Sequence, residues 1–179
     1  TLTGTAAVTN AQGAMLDMTG GNAAAATLVG NGTTKLATAN IATKITNAGQ
    51  MTSTGKVQTA AFDQTAQKSA LHSLDVTGLV NVTGGELAAT ETLTAQTMQN
   101  AATVNTKDLT VKGSLNNSKT LTSTGTADVT NFTQTAAGTA NLQAATLKGT
   151  GKIDGTMTAK GALTFNADST YTGAGAITA

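Results

Sequence analysis

Three carboxylates, Asp63, Glu86 and Asp108, are the residues whose type and spacing come nearest to chemistry in this chain. Paired carboxylates on adjacent turns of a repeating β structure can act as acid and base on glycosidic bonds, or can hold calcium. If a turn is about as long as their separation, the three stack within about 5 to 10 Å of one another. Lys107 and Lys112 lie close enough in sequence to relieve the repulsion. Yet each carboxylate adjoins or follows a large apolar residue, Phe62, Leu87 or Leu109, that belongs inside. Strand alternation then turns the carboxylates outward, as solubilising charge that discourages lateral aggregation. No catalytic, metal-ligating or cofactor-binding residue is assigned on this basis, and no enzyme activity or cofactor is expected. His72, beside Ser73 and Asp75, is the single histidine. One imidazole cannot build a multi-histidine metal site, and local adjacency does not supply the convergence that a Ser/His/Asp triad requires.

What could hold such residues in place is limited by composition. Threonine makes up about a fifth of the 179 residues, while Pro, Cys and Trp are absent and only three Phe and one Tyr occur. A compact ball of this size needs more large apolar side chains to offset chain entropy. A solenoid needs fewer, because each turn buries a thin slice and the backbone ladder does the rest. Ten basic residues against nine acidic ones leave a formal charge of +1, spread without runs. That pattern offers no footprint for nucleic acid and no polybasic patch for a membrane, and no apolar stretch approaches the length of a membrane span. The glycine-rich nonapeptides of calcium-binding solenoids and the glycine–lysine phosphate cradle are also missing.

A short unit recurs along the chain, an apolar residue commonly flanked by threonine. Its centres are Leu2, Leu28, Met51, Val76, Met98, Leu121, Leu147 and Tyr171, spaced by 22 to 26 positions. Six residues beyond the centre come Val8, Val57, Val82, Val104, Ile153 and Ile177 as a second inward set. A longer echo repeats Met51-Thr-Ser-Thr-Gly55 as Leu121-Thr-Ser-Thr-Gly125, and Phe62 as Phe132, at a displacement of 70. The spacing predicts an all-β, right-handed parallel β-helix with coils of about 24 residues, roughly seven coils, forming one continuous unit over 1–179. In that frame the 70-residue echo is three coils, and Leu121, Leu147 and Tyr171 share one inward column. Asparagines do not recur at one position of a 24-residue coil, so no internal asparagine ladder is expected. The early region fits less well: Met15, Leu16, Met18 and Ile41 fall off register, and Gly20-Gly21-Asn22 with Ala23 to Ala26 is expected to bulge as a loop.

Units such as Leu121-Thr-Ser-Thr-Gly125, Leu147-Lys-Gly-Thr-Gly151 and Tyr171-Thr-Gly-Ala-Gly175 resemble the β-helical passengers of two-partner-secreted filamentous haemagglutinins and autotransporter adhesins. The resemblance covers nearly the whole chain and implies a secreted structure on a Gram-negative cell surface. It implies a non-catalytic shaft of an adhesin or surface filament, embedded in a longer β-helix or stacked end to end with further copies, with a surface glycan or protein as a possible receptor. No nucleic acid partner and no membrane insertion of this segment are expected. The runner-up is an ice-binding solenoid, since two threonine ranks on a flat strand face resemble the ice-binding surface of antifreeze solenoids. On a 24-residue coil, however, those ranks are broken by Val29, Gln50, Asp75, Gln99 and Lys148. A carbohydrate-active β-helix enzyme is the third alternative.

Overall fold

The computed structural model describes residues 2–4 and 6–179. Thr1, which opens the first recurring unit, lies outside the described residues, as does the side chain of Leu2. Among the described residues every regular element is a strand, and all strand pairings are parallel within one 17-stranded sheet. The chain is a β-solenoid of about 10 turns, each about 18 residues long. At about 4.8 Å per turn it forms a rod about 48 Å long. The all-β solenoid expected from periodicity is therefore present, with a shorter coil and more turns than expected.

Each turn has three walls, well shown by the strand Thr120–Gln134, which bends twice as it passes through all of them. Three inward columns define the walls. The first runs Met51, Ser69, Leu87, Val104, Leu121, Ala140, Met157. The second runs Val57, Leu74, Leu93, Leu109, Ala127, Ala145; register places Leu163 next. The third runs Leu28, Ile45, Phe62, Val80, Met98, Leu115, Phe132. These residues are buried apart from half-buried Leu163, and together they form one continuous core. Threonine and other polar residues alternate with them and face out, because successive strand side chains take opposite faces.

Leu121, Leu147 and Tyr171 stand on the first, second and third walls respectively, which overturns the 24-residue coil. The reason is a precession. The recurring unit reappears after one turn plus one wall, so its centres visit the walls in rotation: Leu28 on the third, Met51 on the first, Val76 on the second, then Met98 on the third. Three such steps span 70 residues and coincide with four true coils, as the chain of pairings from Met51 through Ser69, Leu87 and Val104 to Leu121 demonstrates. All three walls are built from the same threonine-flanked apolar unit, so periodicity in composition cannot tell a wall from a coil.

The early region is also more regular than expected. Met15–Gly30 forms one strand rather than a loop, with Ala23 and Ala25 buried and Ile41 stacked above Ala25. A register shift between Met18 and Asn22 absorbs Gly20 and Gly21. Near the other end, Gly151 occupies the third-wall column above Phe132, where a Cβ would come within 2.7 Å of the Tyr171 ring. Glycine there lets the ring settle back towards the core, where it meets Phe165 edge to face at 5.3 Å. The Tyr171 hydroxyl points to the Thr130 carbonyl, 3.4 Å away, and burial raises its pKa.

Candidate functional site

The three carboxylates singled out by sequence are not brought together. Asp63 lies on the third wall, paired with Lys44 at 2.5 Å. Glu86 opens the first wall, where hydrogen bonds from Asn105 and Lys68 lower its pKa. Asp108 sits at the entry to the second wall, accepting from the Thr126 backbone N–H at 2.7 Å and its hydroxyl at 3.0 Å, which lowers its pKa. Asp108 thus caps a backbone donor where the ladder shifts register, a structural task; Asn131 does the same for Thr150. Among the described residues no three His, Cys, Asp or Glu side chains gather as a metal site. His72 is exposed, with its backbone N–H donating to Ser53, while Asp75 pairs with Lys56 at 2.7 Å. Charge on this rod is used between coils: the Lys44, Lys56, Lys68, Lys107 and Lys148 ion pairs each join neighbouring turns.

An internal amide ladder, not expected from sequence, follows the end of the third wall. Its column reads Gly30, Asn47, Gln64, Val82, Asn100, Asn117, Gln134, Ile153. Asn100 donates to the Asn117 side-chain oxygen and to the Thr120 carbonyl, both at 2.8 Å. Asn117 donates to the Thr139 carbonyl at 3.1 Å, and Gln134 to the Thr156 carbonyl at 2.7 Å. Each therefore reaches past the first-wall strand that directly follows it in the chain to the start of the one stacked above, so the buried amides find partners inside the corner. Asn47, Gln64 and Ser69 form a second buried cluster of the same kind.

One residue before each rung the chain faces outward, and here lies an uncharged surface. The outward rank reads Asp63, Asn81, Gln99, Asn116, Thr133, Lys152. Between its charged ends, Asn81, Gln99, Asn116 and Thr133 border a shallow depression of about 390 Å³, completed by Thr83, Ala101, Ser118 and Thr135 at the corner and by the ladder residues Asn100 and Asn117. Gln99 and Asn116 are exposed and Asn81 is half-buried. Among the described residues, none of these three side-chain amides has a hydrogen-bond partner within the chain, in contrast to Asn105 and Asn131. A larger depression of about 470 Å³ lies on the second wall near the first coil. Three of its polar groups are already engaged, Lys56 and Gln58 with Asp75 and Asn22 with Thr38, which leaves Asn40 as its one side-chain amide without a partner among the described residues.

The first wall carries the most regular hydroxyl array. Thr103, Thr120, Thr139 and Thr156 form one outward rank, with Asn105, Thr122, Asn141 and Thr158 beside it. Towards the amino-terminal end the array gives way to the Lys68–Glu86 ion pair and to Ala70 and Ala88. The ranks drawn on a 24-residue coil mixed walls, and the true ones appear only at the correct coil length. Both amide columns had a sequence signal at that length, since Gln99-Asn100, Asn116-Asn117 and Thr133-Gln134 recur with one member outward and one inward.

No family model, curated protein or solved structure matches this chain.

Proposed function

We propose that this chain is a rigid, non-catalytic shaft of an extracellular bacterial adhesin or surface filament. The observation that supports this most is the continuity of the inward columns: about 10 turns stack in parallel, and each column passes from coil to coil among the described residues. A structure in which five surface ion pairs and the Asn100, Asn117 and Gln134 amides join neighbouring turns is suited to holding length and direction. The inward-phase residues of the last coil, Phe165 and Ile177, remain 41% and 46% exposed, and further coils of the same chain or of a second copy would cover them. Small-angle scattering of the purified chain tests the shape, and labelling of intact source cells with antibody to the chain tests the location. A rod cross-section about one coil wide together with surface labelling is the expected result. A compact particle, or labelling only after cell lysis, overturns the reading.

A second reading, ice binding, is favoured by one observation, the four-coil array from Thr103 to Thr158 on the first wall. Regular hydroxyls and methyls on a flat strand face can order water in a lattice-like layer. Thermal hysteresis that Thr120→Lys removes would support it; no hysteresis and no partition into growing ice would exclude it.

A further inference from the structure

We infer that the depression on the third wall is a binding site for a neutral, extended oligosaccharide, with Asn81, Gln99 and Asn116 as its polar contacts. The inference deepens the shaft reading and rests on it for the site's exposure to foreign glycans. Three observations carry it. Each primary amide offers an acceptor and two donors, a set that matches a pair of neighbouring sugar hydroxyls. These three amides lack partners within the chain among the described residues, whereas the inner amides Asn100 and Asn117 donate hydrogen bonds and the charged ends of the rank, Asp63 and Lys152, are ion-paired. They also form a straight rank in strict parallel register, one per coil, at about 4.8 Å intervals. That rise is close to the length of one sugar ring in an extended chain, so successive rings meet successive amides.

The rest of the surface narrows the ligand class. No lining residue carries a charge, and the nearest charges along the rank, Asp63 and Lys152, stand at its two ends. An acidic or sulfated polysaccharide would find no cation along the site. Ala101, between Thr83 and Ser118 at the corner, leaves the floor low, and a depression of about 390 Å³ falls within the range of small-ligand sites. With no aromatic ring to stack on a sugar face, a single site binds weakly. Repetition along a longer shaft would raise avidity by effective concentration.

The test is nuclear magnetic resonance on the purified chain, titrated with cellotetraose and, separately, chitotetraose at millimolar concentration. The expected result is that one of the two moves the side-chain NH₂ signals of Asn81, Gln99 and Asn116 and leaves that of Asn141 on the first wall in place. Gln99→Ala should weaken binding at least threefold, and Ala101→Leu, which fills the floor, should abolish the shifts while the circular dichroism spectrum and melting temperature stay unchanged. Asn141→Ala is the control that keeps full binding. If neither probe moves the three amides, the inference is overturned. Shifts that follow protein concentration rather than sugar would overturn it too, and would assign the surface to packing between copies. Binding by heparin alone would overturn the neutral class. In each of these cases the rod shape and surface labelling would stand, so failure here is separable from failure of the shaft reading.

Discussion

Asn116 and Asn117 are neighbours of the same type, and they do opposite things. Asn117 points inward, is enclosed, accepts from Asn100 and donates to the Thr139 carbonyl. Asn116 points outward, is exposed and bonds nothing within the chain among the described residues. The same contrast separates Asn100 from Gln99 and Gln134 from Thr133. What divides them is parity along the strand, since alternate side chains take opposite faces. A buried amide is costly without partners, so the inner column is committed to structure, whereas the outer column pays no desolvation penalty and stays available.

The sharpest way to break this comparison is to move charge across the wall. Leu121→Asp places an unpaired carboxylate in the core and should destabilise by about 4 kcal/mol or more, enough to abolish a cooperative melt, while Thr122→Asp, one residue on and outward, should cost under about 0.5 kcal/mol. Melting followed by circular dichroism checks both, and equal tolerance would mean that the faces are reversed. The amide pair comes next. Asn117→Ala leaves the Asn100 amide and the Thr139 carbonyl short of partners in a dry interior, so a loss of about 2 kcal/mol is expected, seen as a melting point several degrees lower. Asn116→Ala should fall within about 0.5 kcal/mol of the parent. If the two variants melt alike, the inner ladder is not structural.

Acid supplies the mildest contrast, because it acts on the outer surface and spares the neutral inner ladder. Asp75, Glu86 and Asp108 have pKa values lowered by the Lys56, Asn105 and Thr126 hydrogen bonds respectively. A carboxyl whose folded pKa lies below its unfolded value stabilises the fold above the unfolded pKa and loses that contribution as pH falls through the folded one. Melting temperature should therefore hold steady from pH 7 to about pH 5 and decline below about pH 4. The Asp75 and Glu86 ion pairs are each worth no more than about 1 kcal/mol, given their partly solvated lysines. A decline already complete above about pH 5 would refute this account.

The class of fold was legible because threonine-flanked apolar residues encode alternation, and alternation survives any error in coil length. Val57, Val82, Val104 and Ile153, read as inward, are all buried. Coil length was not legible from the same units, because Leu28, Met51 and Val76 sit on different walls that share one local pattern. Only pairing distinguishes a step of one turn from a step of one turn plus one wall. The ladder and the outer amides were hidden by the same ambiguity. Counted every 24 residues, Asn100, Asn117 and Gln134 scatter; counted every 17, they align. The carboxylate triplet was the reverse case, a cluster produced by the wrong period and dissolved by the right one.

The sameness of the three walls also bears on how such a molecule can change over generations. Every coil presents the next with the same parallel edge, so a duplication or deletion of one coil of DNA, such as the stretch from Asn100 to just before Asn117, rejoins equivalent columns and restores an amide rung at the seam. Recombination between similar coils would then lengthen or shorten the rod in whole turns of about 4.8 Å without a new core having to be invented. Slippage by a single wall would be far less forgiving: it sets a corner against a strand and puts Phe132 where Ala127 or Ala140 belongs. Reach is therefore the heritable variable of this architecture, and it comes in discrete steps.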